Sequence, residues 1–375
     1  MGGGGDGGSI ELLSLPDAAD GAAAPFERIL RRIRGARETL VIHMFVWRAD
    51  AVGHEIGRAV LEAADRGVRV LLRKDVGAFM YERLEMNRKS LFDRKVSLTK
   101  RAAWALIGLT FPDTFVEDAY TAELGERLLA HPRISVEWVD GTHVKYYAVD
   151  GRFLLLGSIN VEDRHRGYHD YMVEIAGEGA VRRFEARAAG AAPLDPALPF
   201  DFVLNDVSRR PPRLEIKGLL LEETARARRS VHVEMAYLGD PDATAALLAA
   251  AARGVAVTVL LSRKANVGND LNLHVARRLL RGGVAIRLSA TMLHSKMMLF
   301  DGETAVLGSA NLSVFSMQKA GELDVVVRGD PAFLGALRAV AEGRYRRGVP
   351  VAGPGDLPSC SLLLALGQQL HQRLG

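Results

Sequence analysis

At 375 residues the chain is longer than one typical domain, and its content of 48% apolar and 25% charged residues is ordinary for a folded globular protein. Its single cysteine, Cys360, excludes an internal disulfide framework and a multi-thiolate metal site within one chain. The net charge of +4 is a mild basic excess that selects no partner by itself.

The N-terminal segment, residues 1–24, is rich in glycine and lacks the basic and apolar regions of a secretory signal. We interpret it as a flexible leader. No uninterrupted apolar run reaches the roughly 20 residues that a membrane span needs, so we expect no integral membrane segment.

A strand, a helix and a second strand follow the leader, and the same succession recurs in the second half of the chain. The runs are TLVIHMFVW, GHEIGRAVLEAA and ADRGVRVLLRK in the first half, and RSVHVEMAYL, PDATAALLAAA and AARGVAVTVLL in the second. Each set predicts a βαβ unit, in which a helical crossover joins two parallel strands. The repetition predicts two homologous α/β domains, at residues 25–190 and 215–348.

The first domain is predicted to hold an insertion at about residues 80–115. Between the Arg-Gly turn of the βαβ unit and the histidine motif described below, the first half is 36 residues longer than the second. A basic run at 82–101 and an apolar run at 102–111 together favour binding at an anionic membrane interface. The alternative is a helical excursion that packs on its own domain. The candidate interface residues are Arg94, Lys95, Lys100, Arg101 and Trp104.

The most informative feature is a duplicated motif. The stretch THVKYYAVDGRFLLLGSIN, residues 142–160, is matched interval for interval by LHSKMMLFDGETAVLGSAN, residues 293–311. Alternate side chains of a strand share one face, so the histidine and lysine of each copy point the same way. The motif residues are His143, Lys145, Asp150, Ser158 and Asn160 in the first copy, and His294, Lys296, Asp301, Ser309 and Asn311 in the second.

This set of side chains suits a phosphate ester. Lysine and asparagine donate hydrogen bonds to phosphate oxygens, and imidazole acts as a nucleophile or a proton donor. Cleaving a phosphodiester through a covalent intermediate needs a nucleophile on one side and an acid on the other. Two copies that face each other supply both, so we expect the two motifs to form one active site.

Two acidic residues follow the motifs at matching distances. Asp170 lies 27 residues after His143, and Glu322 lies 28 residues after His294. A carboxylate that accepts a hydrogen bond from one ring nitrogen fixes the tautomer of a histidine. We expect these carboxylates to orient the histidines, and the sequence leaves open which serves which. The nearby His165 and His169 are expected to be exposed polar residues, and a role at the rim of the site is the alternative because they lie close to Asp170.

The two domains are predicted to be joined by a proline-rich linker at residues 191–214. After the second domain, residues 349–375 are expected to form a tail in which apolar residues at helical spacing predict a short docking helix. Membrane anchoring by this helix is the lesser alternative.

The duplicated pattern His-x-Lys-x4-Asp-x6-Gly-Ser-x-Asn resembles the phospholipase D superfamily, over residues 38–346, and within it the bacterial cardiolipin synthases and related phosphatidyltransferases. The resemblance implies a phosphatidyl-histidine intermediate that is passed to an alcohol without a metal or other cofactor. One of His143 and His294 would be the nucleophile and the other the general acid, with His143 favoured as nucleophile. The lysines and asparagines would bind phosphate with support from the serines, while Asp150 and Asp301 would brace the motifs.

The expected fold is α/β, with two homologous α/β/α sandwich domains that contain mixed, largely parallel sheets. A pseudo-twofold axis would relate the domains, and the active site would lie at their interface. We expect the protein to act on a phospholipid substrate as a single chain, and its oligomeric state is left open. Its expected location is cytoplasmic, bound peripherally to the anionic inner face of the cell membrane.

Three other functions use much of the same sequence evidence. Hydrolysis would employ the same residues with water as the acceptor. A nuclease ranks lower, and nucleic acid is not the expected partner, because the positive charge is confined to the insertion rather than spread along a groove. A non-catalytic lipid-binding protein is the fourth alternative.

Overall fold

The computed structural model describes residues 8–15, 25–84, 90–92, 123–266 and 268–374. Within these residues the chain forms two mixed β-sheets flanked by helices, one sheet in each half. The predicted α/β class and the two homologous halves are confirmed.

The first sheet has seven strands in the described part of the chain. These strands are β1 (Ser9–Leu15), β2 (Thr39–Met44), β3 (Arg69–Asp75), β4 (Ile134–Val139), β5 (Tyr146–Val149), β6 (Phe153–Gly157) and β7 (Asp170–Ala176). They lie side by side in the order β1-β7-β6-β5-β2-β3-β4. The helices of this half are α1 (Pro25–Gly35), α2 (Ala51–Asp65), α3 (Val76–Leu84), α4 (Glu123–Ala130) and α5 (Glu178–Ala189).

The second sheet repeats this plan with additional edge strands. Its strands are β8 (Phe200–Asp206), β9 (Arg213–Leu214), β10 (Ser230–Met235), β11 (Ala256–Ser262), β12 (Ala285–Ser289), β13 (Lys296–Phe300), β14 (Thr304–Gly308), β15 (Glu322–Val327) and β16 (Val349–Val351). Their order is β16-β12-β11-β10-β13-β14-β15-β8-β9. The helices are α6 (Ile216–Arg226), α7 (Pro241–Ala252), α8 (Asn269–Arg281), α9 (Val314–Gln318), α10 (Pro331–Arg347) and α11 (Leu362–Leu374).

Both predicted βαβ units are present. In the first unit β2 and β3 are parallel and α2 joins them; in the second, β10 and β11 are parallel and α7 joins them. Each helix begins at an aspartate, Asp50 or Asp240, whose carboxylate accepts hydrogen bonds from backbone N–H groups of the first turn. Each helix is followed by a glycine with positive φ, 104° at Gly67 and 87° at Gly254, so the Arg-Gly turn needs the residue without a Cβ.

The motif strands form hairpins, which makes most strand pairs antiparallel. Residues 150–152 connect β5 to β6, with φ values of 52° at Asp150 and 61° at Gly151, and residues 301–303 connect β13 to β14, with values of 53° at Asp301 and 72° at Gly302. Positive φ at two successive residues is the type I′ turn geometry, whose twist matches that of the flanking antiparallel strands. Parallel pairing among the described strands is confined to β2-β3-β4 and β10-β11-β12. The sheets are therefore mixed, but the expectation that they are largely parallel is wrong.

A shared apolar core joins the two halves. Each sheet has one apolar core of its own, between the sheet and its outer helices. A third core contains side chains from both sheets together with α5 and α10. Leu154 and Val173 contribute to this third core from the first sheet, Met297 and Val325 from the second, and Leu337 from α10. Because burial of apolar area is the main favourable term in folding, this core holds the two motifs face to face.

Two segments that were expected to be irregular are strands. Residues 9–15, which we had placed in a flexible leader at 1–24, form β1 and pair with β7 along its whole length. Residues 200–206, which we had placed in the linker at 191–214, form β8 and pair with β15. In both segments apolar side chains are buried against the third core, so the strands gain packing that an exposed linker would lack.

Most of the insertion expected at about 80–115 lies outside the described residues, and so do Arg94, Lys95, Lys100, Arg101 and Trp104. In the part of the chain that is described, no helix has the length and apolar character needed to cross a bilayer. The helix predicted in the tail is present as α11 and packs against α8.

Candidate active site

Each histidine motif is held in place by the other half of the chain. The backbone N–H of His143 donates to the carbonyl oxygen of Gly321 at 2.7 Å, just before β15. In the same way, the N–H of His294 donates to the carbonyl oxygen of His169 at 2.8 Å, just before β7. Because these contacts are exchanged between equivalent segments, the two motifs meet about a pseudo-twofold axis at the interface of the halves.

The histidine–carboxylate pairs are crossed between the halves. Nδ1 of His143 lies 3.1 and 3.2 Å from the carboxylate oxygens of Glu322, and Nδ1 of His294 lies 2.9 Å from a carboxylate oxygen of Asp170. The carbonyl oxygen of Ser309 also lies 3.0 Å from Nδ1 of His143. Since both neighbours of this nitrogen are acceptors, Nδ1 of His143 carries the proton and Nε2 has the lone pair in the neutral ring.

The motif serines bind the carboxylates. The hydroxyl of Ser158 donates to Asp170, and the hydroxyl of Ser309 donates to Glu322. Ser309 Oγ also accepts a hydrogen bond from the backbone N–H of Leu323 at 2.9 Å. Their hydroxyl protons are thereby committed to the carboxylates. They position the carboxylates that hold the histidines, and their support of substrate phosphate stays a prediction.

The two motif lysines are fully buried and close to the histidines. Nζ of Lys145 donates to the carbonyl oxygen of His143 at 2.5 Å and lies 5.0 Å from the ring centre of Phe45. Nζ of Lys296 lies 3.0 Å from Nε2 of His294 and 5.9 Å from the ring centre of Tyr237. Burial lowers the pKa of Lys145 to about 7 and that of Lys296 to about 8, and the carboxylates Glu322 and Asp170 oppose the shift.

Burial also favours the neutral form of the histidines. It lowers the pKa of His143, with a further contribution from the positive charge of Lys145. For His294, burial and the charge of Lys296 hold the pKa well below its usual value. Burial alone would raise the pKa of Asp170, but the imidazole contacts outweigh it and leave the pKa well below the ordinary range. In the free protein the site therefore holds neutral imidazoles against ionised Asp170.

The motif aspartates lie at the far end of the strands from the histidines. The carboxylate of Asp150 accepts hydrogen bonds from the N–H groups of residues 37–39, at the start of β2. Asp301 accepts from the N–H groups of residues 228–230, at the start of β10. Each aspartate therefore fastens the hairpin of its motif to the neighbouring parallel strand, in agreement with a bracing role and away from the reacting groups.

The two motif asparagines differ in their contacts. Nδ2 of Asn160 lies 3.4 Å from Glu162 and 3.3 Å from Nε2 of His165, so this amide is engaged by protein groups. Asn311 is also buried, but its Oδ1 has no hydrogen-bond partner among the described residues. Buried amides are normally satisfied, which makes Asn311 the better candidate for contact with a ligand.

His165 is a buried member of the site rather than an exposed residue or one at its rim. Its Nδ1 lies 3.0 Å from the oxygen of Asp170 that also faces His294, and its Nε2 lies 2.9 Å from Glu162. The rings of His165 and His294 stand edge to face with centroids 4.5 Å apart. His169 is buried as well. The expectation that His165 and His169 are exposed is wrong, because the carboxylates of Glu162 and Asp170 pair with His165 inside the protein.

Three of these residues also have the chemistry of a cation site. The candidate ligand atoms of His165, Asp170 and His294 lie within 4.8 Å of one another, and all three residues are buried. Asp170 already accepts from both imidazoles, so this group is fully paired by hydrogen bonds as it stands.

Both halves match one protein family. The family described as "Cardiolipin synthase, PLD-like domain" matches residues 29–189 and 220–342, which include both histidine motifs. The cardiolipin synthase A of Pseudomonas aeruginosa is 24% identical over 377 residues, covering 92% of this chain and 70% of that protein. The cardiolipin synthase A of Salmonella arizonae is 23% identical over 374 residues, covering 90% of this chain and 69% of that protein.

A solved structure shows the same fold over nearly the whole chain. The phosphatidylserine synthase of Haemophilus influenzae Rd KW20 matches with a TM-score of 0.67 at 11% identity, covering 97% of this chain and 91% of that protein. At this identity the likeness concerns the arrangement of helices and strands.

Proposed function

This chain belongs to the cardiolipin synthase, PLD-like domain family of the phospholipase D superfamily and is an enzyme of the phosphatidyltransferase or phosphodiesterase type, and we propose that it transfers phosphatidyl groups from a phospholipid to an alcohol. The proposed acceptor is a second phosphatidylglycerol, which would give cardiolipin. The observation that carries the proposal is the crossed arrangement of His143 with Glu322 and His294 with Asp170 at one interface.

The proposed first step forms a bond between phosphorus and Nε2 of His143. The lone pair on this nitrogen attacks while the bond from phosphorus to the headgroup oxygen breaks, and imidazolium His294 gives its proton to the departing alcohol. In the second step the acceptor alcohol gives its proton to His294, and its oxygen displaces His143 from phosphorus. The assignment of His143 as nucleophile follows the superfamily resemblance, and its fixed Nδ1 proton is compatible with that role.

The buried cations support the binding of an anionic substrate. Lys145 and Lys296 lie beside the histidines, and burial lowers the pKa of both because their protein surroundings disfavour positive charge. A phosphodiester anion would reverse this balance, because an opposite charge nearby favours the protonated form of lysine and histidine. In this proposal substrate binding favours protonation of the two lysines, which bind the phosphate together with Asn311. It also favours protonation of His294, which can then donate a proton.

The proposal includes a position at a membrane. Phospholipid substrates reside in a bilayer, so the enzyme has to work at its surface, and we place it peripherally on the inner face of the cell membrane. The comparisons support the phospholipid substrate through the cardiolipin synthases that this chain resembles.

Product analysis tests the proposed reaction. Purified protein is incubated with phosphatidylglycerol, and the products are identified by mass spectrometry. We expect cardiolipin and glycerol; phosphatidic acid would instead show that water is the acceptor. His143→Ala and His294→Ala should each abolish turnover. His131→Ala is the matched control, because His131 lies outside the site and its Nε2 faces Asp65. Full turnover by either motif variant would overturn the mechanism.

The covalent intermediate can be tested separately. A brief incubation with substrate is quenched at alkaline pH, at which a phosphorus–nitrogen bond to histidine survives, and the protein is digested and mapped. A phosphatidyl adduct on the peptide that contains His143 is expected. An adduct at His294 would exchange the two roles, and transfer without any adduct would contradict the two-step reaction.

A further inference from the structure

Helix α11 presents an unusual apolar surface. Leu362, Leu363, Leu366 and Leu370 are 57%, 81%, 52% and 55% exposed, respectively. At 100° per residue these four positions fall within about 100° of one another on one face of the helix, whereas Leu364, 58% exposed, lies outside this face and Ala365 is buried. Isolated exposed leucines are common, but four on one helical face form a contiguous patch of the kind that marks a docking surface.

Positive charge lies directly beside this patch. A cavity of ≈ 510 Å³ between α8 and the segment that leads into α11 is lined by His274, Arg277, Arg278, Arg281, Ser359 and Leu362. Arg277 is held by the carbonyl oxygen of Pro358 and the thiol of Cys360. Arg278 and Arg281 are exposed and form no ion pair among the described residues. An apolar helical face with cations along its border matches the chemistry of an anionic bilayer surface.

The patch is structurally connected to the active site. Gln368 of α11 accepts a hydrogen bond from the backbone N–H of Leu271, in the first turn of α8. The loop before α8 contains Asn266, which accepts from the hydroxyl of Tyr237 at 2.5 Å. The ring of Tyr237 stands 6.4 Å from that of His294. Helix α11 also packs on α9, which follows the second motif.

The same loop adds positive charge between the patch and the site. Arg263 and Lys264 are exposed in it, immediately after β11.

We propose that the leucine face of α11 inserts into the surface of an anionic phospholipid bilayer while Arg278 and Arg281 bind lipid phosphates. This proposal deepens the proposed function and rests on it for the substrate class. It assigns the membrane contact to the second half of the chain, at described residues for which the sequence favours a docking helix over membrane anchoring. The insertion at 80–115 stays a separate prediction.

Vesicle sedimentation tests the surface without requiring turnover. The protein is mixed with sucrose-loaded vesicles of phosphatidylcholine alone or with phosphatidylglycerol, and the bound fraction is measured. We expect binding to the anionic vesicles, weakened by 0.5 M salt, and at least a tenfold loss of affinity for the double variant Leu363→Glu/Leu366→Glu. Arg278→Gln/Arg281→Gln should lower affinity for the anionic vesicles only.

Leu129→Glu is the matched control, because Leu129 is 41% exposed on α4 in the other half. It should bind vesicles like the unaltered protein, and all variants should retain turnover of a monomeric short-chain phospholipid. Unchanged vesicle binding by the double leucine variant would overturn the proposal. So would a loss of self-association in sedimentation velocity with vesicle binding intact, since the leucines would then serve a second copy of the chain.

The outcome can be separated from that of the proposed function. Vesicle binding is also measured with His294→Ala, which is not expected to turn substrate over. Normal binding by this variant, together with absence of any phospholipid product from the unaltered protein, would support the surface and reject the reaction. Activity on detergent-dispersed phosphatidylglycerol with equal vesicle binding by the leucine variants would support the reaction and reject the surface.

Discussion

Nδ1 of His143 lies 3.1 Å from a carboxylate oxygen of Glu322, although 179 residues separate them in the chain. The corresponding pair, His294 and Asp170, is crossed in the opposite direction. Neither half can therefore orient its own histidine. If the backbone were cleaved between the halves, each imidazole and its carboxylate would lie on different fragments. Only packing in the shared core would then hold them together.

The crossed pairing predicts which histidine each carboxylate affects. Glu322 raises the pKa of His143, so Glu322→Gln should lower the pKa of His143 further and leave His294 unchanged. Asp170→Asn should act on His294. Titration of the histidines by NMR in the two variants measures this directly. Each variant should also lose about 10²- to 10⁴-fold in turnover, the range for a misplaced acid–base group. A shift at His294 in Glu322→Gln would contradict the crossed arrangement.

The lysines predict a loss of substrate affinity at alkaline pH. Lys145, with a pKa of about 7, and Lys296, with a pKa of about 8, lose their protons in the free enzyme as the pH rises through these values. Since only the protonated form attracts a phosphodiester, kcat/KM should fall over the same range while kcat, which reports the charged complex, changes less. Lys296→Met should lower kcat/KM about 10²-fold, comparable to the loss of one fixed donor to a developing charge. It should also remove the part of the decline in kcat/KM that occurs near pH 8. An unchanged pH profile in this variant would contradict the assignment.

Much of the site was predictable because its residues sit in a long pattern that occurs twice. Spacing alone placed His143, His294 and their lysines together, and hairpin chemistry was present in the two Asp-Gly pairs. The crossed carboxylate pairing was not predictable, because it arises from packing between halves. The prediction of largely parallel sheets failed because the βαβ rule applies only to strands joined by a helix, whereas the motif strands pair as hairpins.

Two further errors came from composition. The segment GGSIELLSL and the segment FDFVLND each have alternating apolar residues, a strand signal that neighbouring glycines and prolines obscured. His165 lies in VEDRHRG, which reads as a charged surface loop. Its charges instead neutralise one another inside the protein, as in the buried pair of Arg48 with Glu162 at 2.7 Å.

Replacing a bracing aspartate should lower the stability of the fold without a direct effect on the reaction. Asp150→Ala removes an acceptor for three backbone N–H groups and places alanine at a positive φ. At about 1 kcal/mol for each hydrogen bond, the free energy of unfolding should fall by about 2–4 kcal/mol, measured by urea denaturation. Asp150→Asn keeps an acceptor oxygen and tolerates the left-handed conformation, so it should lose less stability and retain kcat. Equal losses of kcat in both variants at full stability would place Asp150 in the chemistry instead.

Asp324 predicts a pH-dependent stability. Burial, aided by the charge of Glu322, raises the pKa of Asp324 to about 8, against about 4 in an unfolded chain. The folded state therefore holds the proton between these values, and this contribution to stability is lost as the pH rises through about 8. Asp324→Asn should retain the hydrogen bond from the N–H of Ala310 and carry no charge. Its Tm should exceed that of the unaltered protein by an amount that grows from pH 5 to pH 8, and a constant difference would contradict the raised pKa.

His165 predicts a change in the pH profile of the reaction. The groups that face its ring are Asp170, Glu162, Asn160, His294 and Tyr168. His165 contributes to the lowered pKa of His294, and its Nδ1 contacts the same carboxylate oxygen of Asp170 as Nδ1 of His294. Replacing it with glutamine should therefore raise the pKa of His294 and move the corresponding limb of kcat against pH to higher pH.

A purely structural role for His165 would give a different result. The variant would have a lower Tm, but its profile of kcat against pH would be unchanged. His232→Gln provides the control, since His232 is also partly buried next to a glutamate, Glu234, but lies on β10 outside the site. That variant should leave the limb unmoved. Because His165 has both ring nitrogens opposite carboxylates, its removal also leaves Glu162 without one partner, while Arg48 and Arg164 still neutralise it. The retained arginine pairs are the reason to expect a folded variant whose pH profile can be measured.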